Sequence, residues 1–385
     1  MVASPSPGPF MPADAPPVGT REVPAARTPS QRQGLAAVPN APAPLWSGVE
    51  IETAELLKAA IPAHRALAAC ARAFARTPLD SAALDAFALL DAVGAVQLDG
   101  EPLDPREVLE SPPQQRDAVV VRQHEALRHA LREARPVGSA VALELASLVA
   151  GRTVAVRRQT LDTAEPGLDP GALGWRAVPL PLGVERLRVR LDRWQDFVQS
   201  DSGDLDALLM SGTALAEWLA VRPFSSGNVR VGQLLVQLLM LEEDLLPVPA
   251  LPLSLYMSRH SEACWRALHA ARAAAHPEPW LRFFLGAVEH VSLDTLTRID
   301  AWEAVLAVLP VTLGELLPKT PSAELIQVCA RPSLGMSDVI DTGLSRRQTA
   351  AAWLARLVDG GVLRERRAGK EKRFVNEAVV SLLVG

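Results

Sequence analysis

Three cysteines in 385 residues, Cys70, Cys264 and Cys329, are too few, too widely spaced and the wrong number for a disulfide framework. Buried free thiols in a reducing compartment are expected instead. Aromatic residues make up 4% of the chain, with a single tyrosine, against 49% hydrophobic residues overall, a balance that points to a Leu/Ala-rich helical protein. No run of 18 apolar residues occurs, so no membrane-spanning helix and no membrane partner are expected. The first residues lack the basic and then apolar pattern of a secretory signal, so the expected location is the cytoplasm. The seven histidines, at 64, 124, 129, 260, 269, 276 and 290, show neither HxxxH nor cysteine-paired spacing. No metal site is expected from them, and each reads as a packing or helix-surface residue.

Proline, by contrast, is plentiful: 32 residues, densest before position 45. Residues 1–44, from Pro5-Ser6-Pro7-Gly8-Pro9 to Pro42-Ala43-Pro44, are too poor in bulky apolar side chains to offset chain entropy and read as a disordered tail. Residues 45–135 carry apolar side chains at helical spacing, as in Leu57, Ile61 and Leu67, then Leu84, Phe87, Leu90 and Val93. Pro112-Pro113 breaks this region before a further helix over 119–135. Between Gly151 and Gly183 the pattern changes to Thr153–Val156 and Trp175–Val178, bounded by glycine and proline, which predicts a β-hairpin. Helices resume from Glu185 to Leu317. Pro318-Lys319-Thr320-Pro321-Ser322 then marks a boundary.

The densest functional signal is Arg222-Pro223-Phe224-Ser225-Ser226-Gly227-Asn228-Val229-Arg230-Val231-Gly232-Gln233. A glycine-bearing turn here leads into Val231, Leu234, Leu235, Leu238 and Leu239, an apolar stripe at helical spacing. Free N–H groups and the positive dipole end at such a helix start favour an anion, and Arg222 and Arg230 add guanidinium forks suited to phosphate. A plain surface turn would use Gly227 and Asn228 for backbone geometry alone.

This stretch resembles the signature of the Fic family, whose members typically transfer AMP from ATP to a protein hydroxyl. Pro223, Phe224, Gly227, Asn228, Arg230 and Gly232 stand as in the signature. Arg222 takes the place of the catalytic histidine, Ser226 that of the metal-binding acid, Val229 that of a small or basic residue, and Gln233 that of a second arginine. The lead-in Leu215–Val221 resembles the helix before the motif, Leu251–Tyr256 with Arg259 the next helix, and Trp280–Leu285 the one after it. Asp91–Gly100 resembles the family's inhibitory segment, with Ala95 in place of its serine and Asp99 in place of its glutamate. The resemblance spans roughly residues 50–380. It implies a mostly α-helical fold with a small hairpin flap that pairs with a target protein by strand addition.

Those substitutions bear on chemistry. Arginine stays protonated and cannot act as the general base that histidine provides. A serine hydroxyl is a weaker Mg²⁺ ligand than a carboxylate. In the family the inhibitory glutamate reaches the second arginine, so Asp99 and Gln233 would alter both ends of one salt bridge. The expectation is a chain that has lost AMP transfer. ATP and Mg²⁺ remain the ligands that the resemblance implies, with Gly227, Asn228 and Arg230 as the residual nucleotide contacts.

Residues 322–385 form a pattern of their own. Leu325–Cys329 reads as a first helix and Met336–Ile340 as a short second one, and Ser345 is placed to cap a third over 346–358, ended by Gly360-Gly361. Val362–Arg367 and Lys372–Val375, joined by Ala368-Gly369-Lys370, read as a two-stranded wing. The arrangement resembles a winged helix-turn-helix, which reads DNA with the N-terminal residues of its third helix. Arg346, Arg347 and Gln348 occupy that position, and Arg366, Arg367, Lys370, Lys372 and Arg373 would place the wing on phosphates. Residues 336–385 hold nine Lys+Arg against six Asp+Glu, a local net charge of +3 in a chain of −5.

The chain is accordingly divided into a tail (1–44), an N-terminal helical region (45–135), a Fic-like core (136–317) and the winged module (322–385). The expected function is that of a DNA-binding or regulatory protein without transferase activity. An adenylyltransferase and a nucleotide-sensing pseudoenzyme are the rival readings. DNA is the expected partner, with a protein docked on the flap hairpin and a second copy of the chain as further candidates.

Overall fold

The computed structural model describes residues 46, 48–77, 81–158, 184–199, 205–318, 323–368 and 371–385. The 1–44 tail, the second half of the expected hairpin (Trp175–Val178) and Lys370 lie outside these residues. The fold is mostly helical. Among the described residues fourteen α-helices precede the last strands: α1 (Ala54–Arg76), α2 (Ser81–Leu98), α3 (Pro105–Glu110), α4 (Ala118–Glu133), α5 (Ser139–Ala150), α6 (Val184–Val198), α7 (Ala207–Val221), α8 (Asn228–Glu242), α9 (Leu253–Arg259), α10 (Ser261–Ala273), α11 (Glu278–Leu316), α12 (Ala323–Cys329), α13 (Met336–Ile340) and α14 (Arg347–Asp359). A short strand β1 (Ser333–Leu334) lies between α12 and α13, and β2 (Arg364–Ala368), β3 (Glu371–Val375) and α15 (Glu377–Val384) follow α14.

The long helix α11 is the spine. α1 packs along it, α2 packs against α9 and α4, and α7 lies between α6, α8 and α11. The main core joins Leu56, Leu67 and Phe74 of α1 to Phe87 and Leu90 of α2 and to Trp280, Phe284 and Trp302 of α11. A second core gathers α4–α8 around Trp218 and Phe224. Aromatics are scarce but consistently used: the indole N–H groups of Trp46, Trp194, Trp218, Trp280 and Trp302 each donate to a backbone carbonyl on another element or loop. Each ring therefore buries its apolar body with its one polar atom satisfied.

Close approaches depend on glycine at two points. A Cβ on Gly94 of α2 would stand 2.1 Å from the backbone nitrogen of Leu255, so only glycine lets α2 meet α9 so closely. Gly232 of α8 does the same against the Trp218 ring, 2.8 Å away.

Several expectations change. The buried face of α1 is Leu56, Ala60, Ala63, Leu67 and Cys70, while Leu57 and Ile61 are exposed, because small alanines rather than the larger residues line the contact with α11. Trp280–Leu285 opens α11, and α10 intervenes between it and α9. Residues 153–157 form no strand among the described residues. Instead Val154 N–H donates to Ser147 Oγ at 3.1 Å and Arg157 N–H to Pro223 O at 2.9 Å.

In the C-terminal module the three strands form one antiparallel sheet in the order β1-β3-β2. Its core includes Leu309, Leu313 and Leu317 from the end of α11, beside Leu325, Val328, Leu354, Leu357 and Phe374. α15 then turns back, and its Val379 and Leu383 sit in the main core. The three cysteines are buried and free. No helix among the described residues is long and apolar enough to cross a membrane.

Candidate functional site

The motif loop spans the gap between α7 and α8. Arg222 ends α7 in the left-handed region, with φ 44°, and Gly227 opens α8 with φ 73°. Glycine adopts that geometry freely, whereas a side chain there costs about 1–3 kcal/mol, so Arg222 is held by its surroundings. Arg157 supplies them: its Nε–H donates to Arg222 O at 2.9 Å and its Nη2 to Val221 O at 3.2 Å, beside the backbone bond to Pro223. Burial, and then the charge of Arg222, lower the Arg157 pKa. Nothing in the sequence marked Arg157; it lies where a hairpin strand was expected.

Asn228 closes the loop from inside. Its Nδ2 donates to Phe224 O at 2.8 Å and its Oδ1 accepts from Phe224 N–H at 2.9 Å, while its own carbonyl accepts from Trp218 Nε1 at 2.8 Å. The residue is 2% exposed. Asn228 thus shapes the loop, both ends of its amide being taken by the Phe224 backbone. Phe224 packs edge-on against Trp218, which in turn meets Trp194 of α6.

Arg230 lies in the first turn of α8. Its Nε–H donates to Asp99 Oδ2 at 2.9 Å, its carbonyl accepts from Gln123 Nε2, and its Nη1 is buried without a hydrogen-bond partner. Gln233 does not face Asp99. It is fully buried, its Nε2 donating to Met257 Sδ and its Oε1 accepting from Ser254 Oγ. The acid of the α2 segment thus pairs with the motif's first arginine, not with position 233, where one further turn of α8 carries the side chain into the interior. Ala95 is buried within α2 and offers only a methyl group.

Beneath this sits Asp91, whose Oδ1 accepts from Ser254 N–H at 2.7 Å. Burial pushes its carboxyl up to about 7, hydrogen bonds from Ser254 opposing the rise. On the other side Glu217 and Arg190 form a bidentate pair, both buried, with Nη2 to Oε2 at 3.0 Å. A buried charge pair of this kind was not legible from the lead-in sequence.

Ser225 and Ser226 are exposed at the loop tip. The donor set does not fit a divalent cation: position 226 brings a neutral hydroxyl, and Asp99 is taken by Arg230. Among the described residues no cluster of three or more His, Cys, Asp or Glu could hold a metal. The start of α8, with Gly227 and Arg230, suits an anion. A cavity of about 210 Å³ beside Phe224 and Trp218 is bordered by Leu143, Val156, Arg188 and Asp192.

The cations of the C-terminal module divide into two sets. Arg346, Arg347 and Gln348 stand exposed at the start of α14, and Arg367 is exposed on β2. Ser345 does not cap α14: the helix begins one residue later than expected, Arg346 occupies the N-cap position, and the first-turn N–H groups have no side-chain cap. Arg373 is buried, donating to Asp338 and Ser333, which corrects its expected place on DNA phosphate. Arg366 is likewise turned inward, onto Glu110 at 3.0 Å. Lys372 pairs with Glu365 at 2.8 Å, both side chains exposed.

Residues 312–379 match the family described as the C-terminal domain of SoFic-like protein adenylyltransferases. Among solved structures the chain is similar to a Fic family protein from Desulfovibrio desulfuricans G20, at 16% identity, covering 84% of this chain and 97% of that one with a TM-score of 0.51. It is also similar to Fic-1 from C. elegans, at 17% identity over 64% of this chain and 73% of that one, with a TM-score of 0.47. The fold is that of Fic proteins.

Proposed function

We propose that this Fic-fold protein no longer transfers AMP and acts as a DNA-binding regulator through a C-terminal winged helix. The observation that carries the reading is the division of the module's cations. Arg364, Arg366, Lys372 and Arg373 are ion-paired within the protein. Arg346, Arg347 and Arg367, by contrast, are exposed, with no ion-pair partner among the described residues. The order α12, β1, α13, α14, β2, β3 supports the winged-helix reading, in which α14 is the groove-reading helix. Free arginines at its start reach base edges and phosphates; Arg367 adds a phosphate contact from the wing.

Loss of transfer follows from residue chemistry. The guanidinium of Arg222 takes up no proton from a hydroxyl, and Ser226 holds no metal as a carboxylate would. A second reading, reversible binding of a nucleotide, is favoured by the buried Nη1 of Arg230 at the start of α8. One experiment separates these readings. The full chain is incubated with labelled ATP and with duplex DNA, and covalent label, reversible nucleotide binding and DNA retention are scored separately. DNA retention without covalent label supports the proposal, and a covalent label that survives Arg222→Ala and Ser226→Ala would show that other residues carry transfer.

A further inference from the structure

Glu110, the last residue of α3, is 4% exposed, yet it meets three guanidinium groups. Its Oε1 accepts from Arg106 at 3.3 Å and from Arg364 at 3.0 Å, and its Oε2 accepts from Arg366 at 3.0 Å. Arg364 also donates to Glu377 Oε2 at 3.2 Å, and Arg106 bonds the same carboxylate and Ser381 Oγ. The network therefore ties the Fic-fold core to β2 and α15 of the C-terminal module.

Strand geometry makes the pairing selective. Side chains alternate along β2, so Arg364 and Arg366 share one face with Arg373 of β3, while Arg367 and Lys372 share the other. The inner arginines meet Glu110; on the other face Phe374 packs into the module's own core, while Arg367 and Lys372 stand exposed nearer the strand ends. A carboxylate with two oxygens accepting from paired guanidinium groups presents the geometry of a phosphodiester's two free oxygens. Arg364 and Arg366 keep 47% and 30% side-chain exposure, so a polyanion can approach them from outside.

We infer that Glu110 is a latch that occupies two phosphate-capable arginines of the wing, so that docking of the module on the core and full engagement of DNA exclude one another at Arg364 and Arg366. The inference rests on the DNA reading above and adds its regulation. Two ligands competing for one pair of side chains are coupled in free energy, so removing Glu110 releases both arginines to DNA.

The test measures binding of a duplex fragment by the full chain as a function of salt. Each phosphate contact adds about 0.9 to the slope of log K against log salt. Glu110→Gln is expected to bind more tightly and to steepen the slope by up to about 2 units. Arg364→Ala with Arg366→Ala, in an otherwise native chain, is expected to leave the slope unchanged, and in the Glu110→Gln background to cancel the gain. A folded Glu110→Gln protein with the native slope overturns the latch. So does a flattened slope in the arginine double variant, which does not depend on Glu110→Gln folding. If the native chain binds and Arg346→Ala with Arg347→Ala abolishes binding, the DNA reading stands whatever Glu110→Gln does. If no form binds at low salt, the DNA reading fails and the latch falls with it.

Discussion

Asp99, one residue past the end of α2, accepts the Nε–H of Arg230 at 2.9 Å, and this contact joins the α2 segment to the first turn of α8. Both side chains are largely buried, at 21% and 11% exposure. Removing the acid leaves a guanidinium with little water to replace it. Asp99→Ala is expected to lower stability by about 2 kcal/mol, read as a shift of the urea midpoint at constant m-value. If Arg230 serves an anion, the same variant binds phosphate-bearing ligands more tightly by calorimetry; unchanged stability and unchanged binding together would assign the pair to the surface.

Covalent transfer is expected to be absent. Labelled ATP should leave no AMP on the chain or on added protein, and Arg222→His with Ser226→Asp should restore only a trace, since Gln233 stays buried against Ser254 and Met257.

Asn228→Ala removes both side-chain bonds to the Phe224 backbone and strands a buried donor and acceptor. The expected loss is about 2–4 kcal/mol, and Asn228→Asp should cost at least as much at neutral pH, because a buried carboxylate oxygen would then face the Phe224 carbonyl. A thermal melt resolves this. A change under 0.5 kcal/mol would mean that the loop does not depend on the clamp.

Stability is expected to rise as pH falls from 8 towards 5.5. Burial pushes both Asp91 and Glu242 up to about 7. Between about pH 4 and 7 the folded state therefore binds more protons than the unfolded one, and stability falls as pH increases through that window. His64 acts in the same direction: its hydrogen bond to Asp206 raises its pKa, so its contribution is complete below the ordinary histidine range and fades as pH passes the raised value. Denaturant titrations at the two pH values should differ by roughly 2–4 kcal/mol, and Asp91→Asn should remove much of the difference. A native profile that is flat or opposite in sign contradicts this account.

On the wing, Arg367→Ala should flatten the DNA salt slope by about 1 unit. Arg373→Ala should instead destabilise the module, because Arg373 bridges Asp338 and Ser333. Equal effects of the two variants on affinity, with no change in melting temperature for Arg373→Ala, would place Arg373 at the DNA.

The helical class and most of α7, α8 and α12–α14 were legible because apolar spacing and end signals agree there, as in Gly227 before α8 and Gly360-Gly361 after α14. Residues whose roles depend on distant partners were not. The sequence cannot show that Phe224 takes both ends of the Asn228 amide. Arg366 and Arg373 looked alike as wing cations, although strand alternation already placed Arg367 on the opposite face. Their partners, Glu110 and Asp338, lie more than 250 and 30 residues away. β1 is two residues long, too short for any periodicity, and the burial of Leu57's neighbours on α1 depended on alanines that carry little pattern.

The return of α15 to the main core has a consequence for how the chain acquires its fold. Leu383 packs in the same cluster as Leu56, and Arg298 of α11 donates to the Leu383 carbonyl. During synthesis the N-terminal helices emerge long before this partner exists, so the core waits with an open seam until α15 has left the ribosome. Closing that seam joins residues separated by nearly the whole described chain, a slow step by the cost of long-range contacts. Until then the exposed face of α11 is a natural substrate for a chaperone that holds apolar surface, and nascent chains stalled before α15 should be selectively retained by one.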